Sequence, residues 1–330
     1  MTDYPEIWFR NCSASCYDSY YPCVVKKEQM SRKKMEELVL EVPWGKLAMA
    51  TWGDSAKPPV LLVHGYVDSA ATFVPLVNLL PDDYYYVALD LPGHGRSDPM
   101  PGPTISQLHL VESINQIVEQ LRWNTFICIA HSMGYLISSY YNAAFPGRIS
   151  KMVALDPPTP VGFHLLAHKP KLWFKHHIES YYDNYFSRAD PRLYSYEEAV
   201  SLVVRARDVT EEQSELILSR SLVKEEDEKY SLTWGHKVKK ISTVPILFDM
   251  FYATLSTKAP TLSVVASETP NAGPTADYAA KMFKKLQSEM KDFLILNVEG
   301  GHSVHFTNPE SFVEYVIDFM KRDFSVKSKL

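Results

Sequence analysis

A serine set between small residues at the end of an apolar run is where chemistry can start in this sequence. In Phe126-Ile-Cys-Ile-Ala-His-Ser-Met-Gly-Tyr135 a β-prone run ends at Ala130-His131, Ser132 follows, and Gly134 opens a helical stretch. Small-x-Ser-x-Gly in a strand-turn-helix setting is a nucleophile elbow, here with Ala130 where glycine is commoner. The turn is tight, so its flanks must be small while the serine is thrust out above the sheet. A bare Ser-x-Gly should turn up once or twice by chance in about 330 residues. Only the strand before it and the helix after it give it weight.

A serine hydroxyl is a poor nucleophile near neutral pH and needs a base within hydrogen-bond reach. His302, in Leu296-Asn-Val-Glu-Gly-Gly-His-Ser-Val-His305, follows the last predicted strand on a glycine-loosened loop, which brings it to the sheet edge that carries Ser132. His305 is the local rival. A third group must orient the imidazole and stabilise its charged form. Two carboxylates offer themselves. Asp156 ends the predicted strand Met152–Leu155 and precedes Pro157-Pro158, and Glu268 lies after Thr261–Val265 in Ala266-Ser-Glu-Thr-Pro-Asn-Ala272. Carboxyl ends of parallel strands are where sites gather, and Asp156 is preferred on that ground, with Glu268 the alternative. An oxyanion hole needs two backbone N–H groups, for which Tyr66, after the apolar run ending Val63-His64-Gly65, and Met133, just after the serine, are the candidates.

The elements that must position these groups follow from hydrophobic pattern. Short apolar runs alternate with stretches of helical period, the signature of βαβ units and a mostly parallel sheet. Leu38–Val42 and Leu47–Trp52 read as an opening hairpin, and Val60–Val63, Tyr84–Leu89, Phe126–Ile129, Met152–Leu155, Thr261–Val265 and Phe293–Val298 as the remaining strands. Helices are expected at Thr72–Leu80, Ile105–Leu121, Tyr135–Ala144, Ala276–Met290 and Pro309–Met320. The strands are continuous apolar runs, as befits a sheet covered on both faces. From Pro157 to Thr257 no strong strand appears, and the segment is helix-prone and rich in aromatics such as Phe163, Trp173, Phe174, Tyr181 and Tyr185. An insertion of about a hundred residues exceeds an ordinary loop and reads as a helical cap. The expected organisation is a lead-in at 1–36, a core of 37–156 and 258–325, a cap of 157–257 and a tail of 326–330.

Composition excludes several classes of function. Of the 330 residues 46% are hydrophobic and 22% charged, an ordinary globular balance. A formal charge of −5 gives no basic field for nucleic acid, and no apolar run is long enough to span a membrane. Cys12, Cys16 and Cys23 lack a fourth ligand at zinc spacing and read, with Cys128, as reduced thiols. His164, His168, His176 and His177 come without a His-Glu-x-x-His motif. Neither a metal nor another cofactor is expected. Met1–Arg10 lacks the basic and apolar regions of a secretory signal. The chain ends in Ser328-Lys329-Leu330, the tripeptide read by the peroxisomal import receptor, so a peroxisomal location is expected, with a cytoplasmic one as the alternative.

Taken together, Leu61-Leu-Val-His-Gly65, Asp90-Leu-Pro-Gly-His-Gly-Arg-Ser97, Ala130-His-Ser-Met-Gly134 and Gly300-Gly-His302 resemble the α/β-hydrolase superfamily. Val42-Pro-Trp-Gly45 and Leu121-Arg-Trp-Asn124 resemble, more narrowly, the animal serine hydrolase-like proteins of the kraken-like subgroup, over about residues 37–325. The resemblance implies an α/β-hydrolase fold: a mostly parallel eight-stranded sheet, helices on both faces and a helical cap, often in a peroxisomal protein. It also implies that an acid after strand six, as in haloalkane dehalogenase-type relatives, would fall at Asp156, while the usual strand-seven slot falls near Thr269 and holds no carboxylate. Relatives that cleave haloalkanes or epoxides carry aspartate at the elbow. A serine there instead implies an acyl-enzyme and a hydrophobic carboxylic ester or thioester as substrate. A hydrolase fold retained as a ligand-binding or scaffold protein is the alternative, and an acyl transferase would use the same groups.

Overall fold

The computed structural model describes residues 33–102, 105–158, 169–172, 174–175, 178–179, 192–234, 241, 248–256, 259–269 and 274–324. Cys12, Cys16, Cys23, the histidines at 164, 168, 176 and 177, the aromatics Phe163, Trp173, Tyr181 and Tyr185, and the Ser328-Lys329-Leu330 tail lie outside them. Among the described residues no helix is long and apolar enough to cross a membrane.

Eight strands form one sheet: β1 (Glu36–Val42), β2 (Gly45–Trp52), β3 (Pro59–Val63), β4 (Tyr85–Leu89), β5 (Phe126–His131), β6 (Ile149–Leu155), β9 (Thr261–Ala266) and β10 (Phe293–Val298). Between β6 and β9 in the chain come the short strands β7 (Leu222–Lys224) and β8 (Tyr230–Leu232). The spatial order is β1-β2-β4-β3-β5-β6-β9-β10. β1 and β2 pair antiparallel, β2 pairs antiparallel with β4, and every later pairing is parallel. All six parallel strands therefore point their carboxyl ends to one edge, where a site can assemble.

The continuous apolar runs have a direct explanation in β3. Leu61 and Val63 pack into one hydrophobic cluster and Val60 and Leu62 into another, and all four are fully buried. Successive side chains of a strand point to opposite faces, so a sheet covered twice needs apolar residues at every position. One face carries α2 (Gln107–Gln120) and α3 (Met133–Ala144), whose Leu110, Ile114, Leu136 and Ile137 share one hydrophobic cluster with Leu61 and Cys128. The other carries α1 (Val74–Leu79) and α9 (Val313–Lys321), through Leu76, Val77, Val316 and Phe319.

Within the segment expected as a helical cap, α4 (Tyr196–Arg207) and α5 (Glu211–Ser221) are capped by Ser195 with Glu198 and Thr210 with Gln213, the reciprocal boxes that satisfy the first free N–H groups. They enclose their own small core of Ala199, Val203, Ile217 and Leu218. The segment is not wholly helical: β7 and β8 pair antiparallel. α6 (Phe248–Leu255) packs through Phe251 and Leu255 into the same core as β5. The chain continues through α7 (Pro274–Glu289) between β9 and β10, and a short turn of helix, α8 (Val304–Thr307), follows β10.

Two arginines fasten α4 and α5 to the sheet. Arg220, 2% exposed, donates through Nε (3.0 Å) and a terminal nitrogen (2.7 Å) to Asp90, which is fully buried just after β4. The same carboxylate accepts from the N–H groups of Ala70 and Arg96, and a Cβ at Gly95 would lie 2.2 Å from its Cγ. The Asp90–Ser97 turn thus folds around one carboxylate, and its glycine makes room for it. Arg207 reaches Asp68 at 3.0 Å in the loop after β3.

Candidate active site

Ser132 stands between β5 and α3 with φ 50° and ψ −121°. A non-glycine residue in this region carries strain of about 1–3 kcal/mol and persists only where its surroundings over-determine it. Here the Ser132 N–H donates to Leu155 O (3.1 Å) and its carbonyl accepts from Tyr135 N–H (3.0 Å). Gly134 explains the need for a small residue two positions on: a Cβ there would lie 2.2 Å from Val63 O and 2.6 Å from His64 O. Ala130 is paired between Val63 and Ala154 and fully buried, so its methyl is accommodated within the sheet.

His302 follows β10 past Gly300, whose φ of 132° suits glycine. Its Nε2 lies 2.8 Å from Ser132 Oγ and its Nδ1 2.5 Å from Asp156 Oδ2. A carboxylate can only accept, so Nδ1 carries the proton and Nε2 presents its lone pair to the serine hydroxyl. Asp156 is 2% exposed. Its φ of 41° swings the chain off the end of β6 and lays the carboxylate against the end of β9. There Ala266 N–H donates to Oδ1 (2.9 Å) and the Thr269 hydroxyl to Oδ2 (2.5 Å).

The alternative acid, Glu268, does not join this line. It lies exposed on the turn after β9, where its N–H donates to Gly300 O (2.9 Å), and among the described residues its carboxylate makes no hydrogen bond to His302. A Cβ on Gly301 would lie 3.8 Å from its Oε2, so the carboxylate stands beside the glycine loop without joining the hydrogen-bonded line. His305 is also excluded as the base: it is fully buried against Phe73 and His131. Thr269, absent from the candidate groups read from the sequence, donates its hydroxyl to the same Asp156 oxygen that His302 contacts. Its one signal was its place in the slot where a carboxylate was expected.

The loop after β3 passes directly beside Ser132. A Cβ on Gly65 would lie 3.1 Å from Ser132 Cβ and 2.9 Å from His131 Nδ1, so glycine permits the approach. Tyr66 follows it at the site edge, 47% exposed. Met133 opens α3, and the first N–H groups of a helix have no partner within it. His64 braces this loop. Leu91 N–H donates to its Nε2 (2.9 Å), so the ring proton sits on Nδ1 and donates to Gly65 O (2.7 Å). Burial lowers the pKa of His64, and pushes those of His94 and His131 down to about 3. These imidazoles are neutral near pH 7 and serve as fixed hydrogen-bonding struts.

Asp68, His131 and His305 each bring one ligand atom within 4.8 Å of the others. Asp68 is already engaged by Arg207, and the two rings stack with centroids 4.0 Å apart and planes 33° apart. A tetrahedral ion needs lone pairs converging on one point about 2.0–2.1 Å away. Here Asp68 is taken up by Arg207 and His131 Nε2 by the His302 carbonyl, so two of the three groups already have other partners.

The family model described as alpha/beta hydrolase fold matches residues 58–195. A protein of Danio rerio named serine hydrolase-like protein is 31% identical over 298 residues, covering 88% of this chain and 90% of its own. The human serine hydrolase-like protein 2 is 27% identical over 320 residues, 87% of this chain and 94% of its own. Among solved structures, a thioesterase domain from the curacin biosynthetic pathway superposes with a TM-score of 0.70 at 19% identity, over 86% of this chain and 99% of that one, a likeness of fold. The chain thus belongs, by its sequence, to the serine hydrolase-like proteins of the α/β-hydrolase superfamily, and its sheet has that fold.

Proposed function

We propose that the protein is a serine hydrolase that cleaves a carboxylic ester or thioester of a hydrophobic acyl group. The observation that carries this reading is the unbroken line from Ser132 Oγ through His302 to Asp156, at 2.8 and 2.5 Å, on a strained elbow. Ser132 Oγ attacks the substrate carbonyl as His302 Nε2 takes the hydroxyl proton. Asp156 holds the ring and stabilises its positive charge. The N–H groups of Tyr66 and Met133 receive the tetrahedral oxyanion. As it collapses, the alcohol or thiol leaves with the proton from His302. A water molecule, deprotonated by the same nitrogen, then attacks the acyl-Ser132 ester, and the acid departs with Ser132 restored.

The aromatic content of the 157–257 segment supports an apolar acyl group. The test is intact-mass detection of a fluorophosphonate adduct on wild type and Ser132→Ala, followed by turnover of nitrophenyl esters and acyl-CoA thioesters. Labelling of wild type alone, with turnover of either class, is expected. Absence of labelling and turnover would overturn the reading and favour a ligand-binding protein. Peroxisomal import through Ser328-Lys329-Leu330 stands beside it as a separate proposal. A fluorescent protein fused ahead of the chain should enter peroxisomes, and should stay cytoplasmic once Leu330 is deleted.

A further inference from the structure

The nucleophile and the base are joined by a second bond that the proton-transfer line does not use. His131, the last residue of β5, lies 3% exposed directly before the nucleophile. Its Nε2 is 2.8 Å from the carbonyl oxygen of His302, 171 residues away in the chain. A carbonyl can only accept, so the ring proton sits on Nε2 and the bond runs from His131 to the base's own peptide.

That peptide needs holding. His302 follows two glycines, the residues with most backbone freedom. The neighbouring backbone bonds serve other residues: Glu268 N–H to Gly300 O (2.9 Å), Val304 N–H to Gly301 O (3.0 Å) and Phe306 N–H to Ser303 O (2.8 Å). His131 is itself firmly placed. Its ring stacks on His305 at 4.0 Å, with His302 at 4.7 Å, and the Gly65 backbone closes over Nδ1. Burial pushes its pKa down to about 3, so the ring is neutral near pH 7 and its one proton can stay on Nε2.

We propose that His131 is a positioning residue for the base: its Nε2–H anchors the His302 carbonyl and so holds the imidazole within reach of Ser132 Oγ. This rests on reading Ser132 and His302 as nucleophile and base. The residue between strand and serine in the elbow, which the motif leaves unspecified, thereby ties the nucleophile to the loop that activates it. Reactivity is steep in such distances, since a misplacement of about 1 Å can cost 10²-fold. His131 lies beneath the serine in the sheet, so its loss should lower kcat and leave KM in place.

The test compares His131→Gln with His131→Met in the full chain. Both lose the ring and have similar length and volume, but only glutamine keeps an N–H at the end of the side chain. The readouts are kcat and KM for a nitrophenyl ester and the rate of fluorophosphonate labelling at Ser132. The Met variant is expected to fall at least tenfold below the Gln variant in kcat and labelling rate, with KM within twofold. Equal rates in the two variants would overturn the inference. Should either variant fail to fold, the ¹⁵N shifts of histidine-labelled wild type decide it: His131 must be the Nε2–H tautomer, and an Nδ1–H tautomer overturns the inference. Failure of wild type to label would strike at the hydrolase reading itself, and the tautomer would still be measurable.

Discussion

Asp156 and Glu268 stand at the ends of two neighbouring parallel strands, and the molecule treats them in opposite ways. Asp156 is buried and accepts from His302, Thr269 and Ala266. Glu268 is exposed, and its contribution to the loop that carries His302 is a backbone N–H. Asp156 contacts the His302 ring and Glu268 the two glycines just before it, so both stand at the same loop. Direction separates them. The positive φ at Asp156 turns its side chain across β9, where fixed donors replace water before the imidazole acquires charge. A solvated carboxylate on a turn lacks that preorganisation.

The largest effect should follow from neutralising the buried acid. Asp156→Asn keeps the shape but can no longer select the tautomer with Nδ1–H inward, and kcat for a nitrophenyl ester should fall by about 10⁴-fold. A loss under tenfold would break the contrast between the two strand ends. Transplanting the acid sharpens it. Thr269 Oγ1 lies 2.5 Å from the Asp156 oxygen that His302 contacts, so a carboxylate brought in at 269 can reach the same nitrogen. Asp156→Asn combined with Thr269→Asp should recover roughly 10²-fold of the lost kcat, because orientation is restored while the surrounding donors are no longer ideal. Rates no better than the single variant would show that the end of β9 cannot host the acid.

Removing the Thr269 hydroxyl is milder. Thr269→Val conserves volume and takes away one of the donors to Asp156. A hydrogen bond to a charged group contributes about 1.5–3 kcal/mol to stability. Part of that is lost equally in the ground and transition states, so kcat/KM should drop about tenfold. Urea unfolding of the same variant separates the stability loss from the kinetic one.

What the sequence disclosed followed from how local its signals were. The buried strands announce themselves because a doubly covered sheet needs apolar residues in sequence, as Val60–Val63 shows. Ser132 is legible through the small residues around it, and His302 through the glycines before it. β7 and β8, Leu-Val-Lys and Tyr-Ser-Leu, are each too short to express a period. The bond from Arg220 to Asp90 spans 130 residues and joins two buried charges that nothing nearby in the chain pairs. The choice between Asp156 and Glu268 was open in the sequence, because it depends on one backbone dihedral. Thr269 is legible in the sequence only as a missing carboxylate; that its hydroxyl meets Asp156 depends on a contact across 113 residues.

The smallest expected effect completes the comparison. Glu268→Gln keeps the side-chain length and the backbone N–H that supports Gly300, and removes only the charge. The carboxylate is exposed, where water screens its field, and exposed pairs contribute about 0–1 kcal/mol. At that scale kcat should stay within about threefold of wild type, and the ester-hydrolysis assay that shows a 10⁴-fold loss for Asp156→Asn resolves the difference easily. The informative failure is a large one. If Glu268→Gln lost activity on the scale of Asp156→Asn, the charge on the turn would be acting on the imidazole through solvent, and the buried donors around Asp156 could not be the reason one carboxylate serves and its neighbour does not.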